Sequence, residues 1–275
     1  MQKLLKTFFD FYLKSSIHVA LSVVALAKIS LIVANFKTEP SLLIFIFLGA
    51  LSAYNFIKFF PLISSQNLGT EDWVIVSLTL VAMISCMGLF FTMSYLAVGF
   101  VLLGGILVLG YAIPFYASAT NWRGKKGWKL NLVVMSWICL TVGVPLAYVE
   151  LFDTVLFLKL AVLQGIYIFV AVLPFEIGDL NTDDKCLQTL PQRFGIVTVK
   201  KMGSVILVLG YLITVFNFGI ATGISLSTLC VFLILGYGLW KSNENQSPYF
   251  ARFWIEALPI LWCLLIYYFY HVIKP

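Results

Sequence analysis

The chain has 275 residues, of which 61% are hydrophobic and only 11% charged, with a formal net charge of +6 and a mean hydropathy of +0.99. An ordinary globular domain is roughly 45–50% apolar and about 25% charged. This composition therefore excludes a soluble domain, a disordered chain, a coiled coil and a disulfide scaffold, and makes lipid the expected solvent.

In chain order, apolar runs of about 20 residues, the length that crosses a roughly 30 Å hydrocarbon core, predict membrane helices at 16–35, 41–62, 72–91, 95–116, 130–149, 154–175, 197–217, 220–240 and 251–272. Such runs lack the short alternation of barrel strands. The expected fold class is all-α: a polytopic membrane protein with nine transmembrane helices in a single bundle, one domain over 1–275.

Cations set the expected direction. Lys3, Lys6 and Lys14 precede the first span, and Lys58 ends the second. Arg123, Lys125, Lys126 and Lys129 join the fourth to the fifth; Lys185, Arg193, Lys200 and Lys201 join the sixth to the seventh; Lys241 and Arg252 join the eighth to the ninth. All fall on one side, against Lys37 and Lys274 on the other, with Lys159 close by. The expectation is a multi-pass cell-membrane protein with a cytoplasmic N-terminus and the C-terminus outside. The start Met1-Gln2-Lys3 leads into a full-length span without an A-x-A site, as a retained first helix does. The longest connections, 64–71, 117–129 and 176–196, share the cytoplasmic face and point to it as the place for polar substrate groups. The bases form no stripe of the kind nucleic acid needs. Cys86, Cys139, Cys186, Cys230 and Cys263 make no C-x-x-C pair and read as small core residues. His18 and His271 end spans on opposite sides and cannot share a metal.

The segment after the sixth span holds four acids, Glu176, Asp179, Asp183 and Asp184, of only twelve in the chain. On a helix Asp179 and Asp183 share a face, with Glu176 beside them. Two carboxylates at that spacing suit a magnesium ion completed by water and phosphate oxygens; the same spacing suits a solvated acidic loop.

Asp179-x-x-x-Asp183, Lys185, Thr189-Leu190 and Arg193-Phe194-Gly195 together resemble the second aspartate motif of the UbiA-type intramembrane prenyltransferases. Tyr111-Ala112-Ile113-Pro114, then Lys129 and Trp137, are similar to that family's connection between the fourth and fifth helices. The resemblance implies nine helices around a central cavity open to the cytoplasmic side. It also implies prenyl transfer from a polyprenyl diphosphate to a lipophilic aromatic or isoprenoid acceptor, within membrane lipid. Asp179 and Asp183 would be catalytic and hold Mg2+; Asn55, Lys58, Lys129, Lys185 and Arg193 would bind substrate. The family's first motif, N-D-x-x-D-x-x-x-D, is degenerate: Asn55 stays, but Phe56, Phe59 and Ile63 stand at the aspartate positions. In the second motif Leu187 and Gln188 replace the small residue and the base before Thr189. One magnesium site is the expectation. Lys58 can stand in for the lost metal, pairing with Asp179 when empty and with diphosphate when loaded, or it can snorkel to the headgroups.

Lys28 lies near mid-span, where a charge costs about 2.5–3.5 kcal/mol, and pairing of Glu256 with Lys28 or Lys58 would offset such a cost. Tyr54, Tyr111 and Tyr167 can line a prenyl cavity or pack a core. The alternative function is a catalytically impaired isoprenoid- or lipid-binding protein of the same fold, favoured by Phe56 and Phe59. A solute transporter would show two related halves and paired intramembrane ionisable residues; this chain shows no convincing internal repeat, and its acids sit at one face instead of the midplane. A CDP-alcohol phosphotransferase would need further acids ahead of Asp179.

Overall fold

A computed structural model describes residues 2–64, 68–113, 121–125, 127–148 and 152–272, with backbone alone at 2, 3, 64, 271 and 272. Pro114, Lys126 and Lys274, and parts of the expected connections 64–71 and 117–129, lie outside the described residues. Every regular element described is helical. The order is α1 (Gln2–Lys14), α2 (Ile17–Val33), α3 (Pro40–Ser64), α4 (Thr70–Phe90), α5 (Tyr95–Ala112), α6 (Trp128–Ile138), α7 (Val144–Tyr148), α8 (Thr154–Gly178), α9 (Leu190–Phe194), α10 (Ile196–Phe218), α11 (Gly223–Lys241) and α12 (Leu258–Val272). A π-helical turn, Cys139–Gly143, joins α6 to α7, and another, Phe250–Ile255, leads into α12.

Eight helices are long and apolar enough to cross a membrane, or nine if α1 and α2, bent by 54° at their junction, count as one span. The first expected span is thus α2, and the lysine-bearing segment before it is itself a helix, α1. The bend lies at Ser15–Ser16, where Ser16 takes the left-handed conformation at φ 63 and breaks the helical path. α1 leaves Leu4, Leu5 and Phe8 exposed and packs Phe9 edge-on against Phe253 and at a tilt against Tyr249.

Burial sorts the spans. α4 and α5 bury only 17% of their most apolar 18 residues, so most of their surface faces lipid. Trp128–Tyr148 and α11 bury 56% and form the inside. α2 runs through the middle. Its Leu26 and Ile29 belong to a core with α8, α10, α11 and α12, while its Ala20, Val23, Ala27 and Leu31 pack with Leu42, Phe45 and Ile46 of α3. An apolar helix buried over most of its surface is the expected membrane-bundle centre.

Polar ties hold this centre where lipid offers no water. Pro145 has no N–H to donate to the carbonyl four residues back. That carbonyl, Thr141 O, takes a 2.7 Å bond from Ser30 Oγ of α2 instead. Gln164 of α8, wholly buried, donates to Leu26 O at 3.0 Å and to Ser30 Oγ at 2.9 Å, and accepts from Thr141 Oγ1 at 2.7 Å.

Candidate functional site

α8 stops at Gly178, and Asp179 is its C-terminal cap. The helix thus ends before Asp183, and both aspartates lie in the connection expected at 176–196. An α-turn, Asp183 N–H to Asp179 O at 2.7 Å, keeps the four-residue spacing without the helix. Asp183 is held by Lys129 Nζ of α6 and by Arg123 Nη2 at 3.4 Å. The Arg123 guanidinium lies 5.4 Å over the Tyr111 ring. Glu176 accepts the Leu190 N–H at 3.3 Å, satisfying an orphan donor at the start of α9.

Asp179 differs from its neighbours. It lines a cavity of about 210 Å³ with Lys129, Glu176 and Tyr111, and its carboxylate accepts no hydrogen bond among the described residues. Burial holds its pKa above the usual carboxylate range, against the opposing field of Lys129. The rest of the wall is apolar and aromatic, from Val133, Trp137, Ile168, Ala171, Val172 and Phe175, and it also includes Tyr54, Tyr167 and Glu256. A smaller space of about 100 Å³ shares Tyr54, Tyr111 and Trp137 with it. A third, about 180 Å³ and lined by Phe45, Gly49, Gly104 and Gly105, lies on the other side of Trp137. Trp137 Nε1 donates to the Tyr54 hydroxyl at 2.8 Å and fixes both rings.

The other expected site residues are elsewhere. Asn55 is buried and donates to Ser15 O at 3.1 Å and Thr79 Oγ1 at 2.9 Å. Lys58 donates to Lys14 O at 2.6 Å. Both thus occupy carbonyls at the C-terminal end of α1, where helix carbonyls are orphaned and the dipole favours a cation. This corrects the expectation for Lys58: it makes no ion pair with Asp179. Lys28 donates to Thr38 Oγ1 at 2.5 Å rather than pairing with Glu256. Lys185 and Arg193 do not line the cavity with Asp179 but an exposed cleft with Gln188, Gln192 and Phe194. The Thr189–Gly195 stretch folds as a short capped helix. Gln192 Oε1 accepts the Thr189 N–H at 3.0 Å, and Gly195, at φ 77, ends the turn. Lys129 is the one expected substrate-binding base that the fold brings to the aspartates.

In the sequence Arg123 counts only among the cations that set orientation, and nothing marks the π-turn beside Glu256. Pro145 marks where a helical bond had to be replaced, but a proline alone does not say by what.

Among the described residues no three His, Cys, Asp or Glu side chains group as metal ligands. A magnesium ion needs only one or two carboxylates when phosphate and water complete its shell. Asp179, unpartnered and facing the cavity, fits one such ion. Asp183 is paired here with Lys129 and Arg123.

No family model matches the sequence, and no curated protein matches it. Solved structures do. A digeranylgeranylglyceryl phosphate synthase aligns with a TM-score of 0.59 at 12% identity, over 98% of this chain and 99% of its own. Two structures of a UbiA homolog from Archaeoglobus fulgidus align at 14% and 13% identity with TM-scores of 0.49 and 0.48, over 95% and 97% of this chain and 95% and 96% of theirs; the first of them has bound Cd2+. The alignment with the synthase establishes a shared helical membrane fold from end to end.

Proposed function

We propose that the protein binds a polyprenyl diphosphate in the cavity bounded by Asp179 and Lys129 and transfers its prenyl group to a lipophilic acceptor. The observation that carries this reading is the character of that cavity. A half-buried, unpartnered carboxylate and a lysine stand at one pole, and aromatic and aliphatic walls continue behind them. A polar head with a long apolar tail has the matching shape and chemistry. The fold shared with a synthase acting in membranes supports the same class of substrate.

In this reading Lys129 and Arg123 keep Asp183 paired and offer their remaining N–H donors to the diphosphate oxygens. Asp179 would hold one magnesium ion, which when bound supplies positive charge to the leaving group. The tail runs past Tyr54 and Trp137 into the apolar space beyond them. Lys185 and Arg193, in their exposed cleft, meet the headgroup only on its way in. We read the face carrying these groups as cytoplasmic, from the excess of Lys and Arg there, and the chain as one functional domain.

A second reading has its own observation. The Asp183 ion pairs and the structural use of Asn55 and Lys58 remove most of what a two-metal site needs, which favours an isoprenoid binder without turnover. Purified protein incubated with Mg2+ and labelled geranylgeranyl diphosphate separates the two. Diphosphate release that Asp179→Ala abolishes supports transfer. Binding that persists in chelator, with no release, supports the binder.

A further inference from the structure

We infer that Glu256 is a catalytic residue of this cavity, whose carboxylate accepts the proton that a hydroxyl-bearing acceptor lipid loses as it is prenylated. The inference rests on the prenyl-transfer reading above. It begins in the backbone. The Glu256 N–H bonds five residues back, to Ala251 O at 3.2 Å, and the Ile260 N–H turns to Ala257 O at 3.0 Å, so the Glu256 carbonyl loses its helical donor. α2 replaces it: Ser22 Oγ donates to Glu256 O, and His18 Nε2 donates to Phe253 O at 3.0 Å. A carbonyl only accepts, so Nε2 carries the proton, and His18 Nδ1 accepts from the Tyr12 hydroxyl at 2.8 Å. A π-turn is a strained form that recurs at functional sites. Here two buried side chains of another helix hold it in place and fix where Glu256 sits.

The carboxylate this device positions lines the cavity and forms no hydrogen bond or ion pair among the described residues. Its field acts on Tyr54 and Tyr167, and Lys58 and Arg252 act on it. Lys129 acts on Glu176 and Asp179, while Lys58 acts on Glu256 and Arg252 acts on both Asp179 and Glu256. The cavity thus has two poles, one built for an anion with Lys129 and one with a carboxylate among tyrosines. Because Trp137 donates to the Tyr54 oxygen, the Tyr54 proton is left for another acceptor. A hydroxyl group, which both donates and accepts, fits this second pole.

The step balances. The bond from prenyl C1 to the diphosphate oxygen breaks, and its electron pair leaves with diphosphate. A lone pair of the acceptor hydroxyl forms the new C1–O bond, and the hydroxyl proton passes to Glu256 and then to water.

The test uses the whole protein with Mg2+, labelled geranylgeranyl diphosphate and three hydroxyl lipids: a long-chain alcohol, a monoacylglycerol and an alkylphenol. Prenylated lipid and free prenyl alcohol are separated, and donor binding is measured alongside. General-base catalysis contributes on the order of 10²–10⁴ in rate. Glu256→Gln is expected to bind donor within about twofold of wild type, yet to form at least about 100-fold less prenylated lipid, with released prenyl going to water. If Glu256→Gln does not fold, Glu256→Asp carries the test, with donor binding kept and about tenfold less transfer. Prenylated lipid within threefold of wild type in the variant overturns the role of Glu256 alone. Prenyl alcohol as the sole wild-type product overturns the acceptor assignment and leaves the donor reading intact. A wild type that neither binds the donor nor releases diphosphate overturns both.

Discussion

Lys129→Met and Asp183→Asn remove opposite halves of one ion pair, yet the structure makes them unequal. The Lys129 and Asp183 side chains are 12% and 8% exposed, while Arg123, also on Asp183, is 37% exposed. Removing one partner of a buried pair costs about 3–5 kcal/mol. Arg123 stays beside Asp183 after Lys129→Met, but so exposed a partner recovers at most about 1 kcal/mol. The expected loss is about 2–4 kcal/mol. Asp183→Asn leaves Lys129 within the field of Asp179 and Glu176, which can take it over, so the loss falls to about 1–2 kcal/mol. Unfolding by SDS in mixed micelles, followed by tryptophan fluorescence, measures both. Acidification adds a second arm. The Asp179 carboxyl sits above its ordinary range in the folded protein, so its favourable contribution is full below about 3.9 and is lost as pH rises through the folded value. Lys129 opposes that rise, and without it the Asp179 pKa climbs further. The Lys129→Met deficit should therefore shrink as pH is lowered toward the ordinary carboxylate range. An Asp183→Asn variant at least as unstable as Lys129→Met, or a deficit that widens in acid, would refute the arrangement described.

The raised Asp179 pKa also predicts that Mn2+ binding with inorganic diphosphate weakens as pH falls, with a midpoint above about 3.9; a lower midpoint, or unchanged binding by Asp179→Asn, contradicts the assigned ligand. Gln164→Leu should lower stability by about 2 kcal/mol, three interhelical bonds at roughly 0.6 each. A loss beyond about 4 would mean that the Ser30 and Thr141 hydroxyls do not keep their bonds to Thr141 O and Trp137 O. Trp137→Ala should open the cavity toward the space behind it and shift relative affinity from farnesyl to geranylgeranyl diphosphate by about tenfold, less than the burial of two methylenes supplies; an unchanged ratio in a binding titration rejects that path for the tail.

The helices and most of their limits were legible in the chain because their cause is local: each apolar run had to satisfy its own backbone bonds in lipid. The Asp179–Asp183 spacing was legible for a related reason, since an α-turn preserves it after α8 ends. Lys58 was not, because a lysine at a helix end fits a headgroup, a diphosphate or a carbonyl equally well. Only the fold of α1 against α3 chose the Lys14 carbonyl. The same holds for Lys185 and Arg193, whose motif spacing survives in a capped turn facing an exposed cleft.

Composition and apolar periodicity by themselves determined an all-helical membrane chain, because burial in lipid constrains every residue of a span at once. Which charges meet was decided by tertiary structure alone. Lys129 reaches Asp183 from 54 positions away, and His18 and Ser22 reach Phe253 and Glu256 across 235 and 234. Such contacts depend on how helices pack, and no local pattern encodes the neighbour.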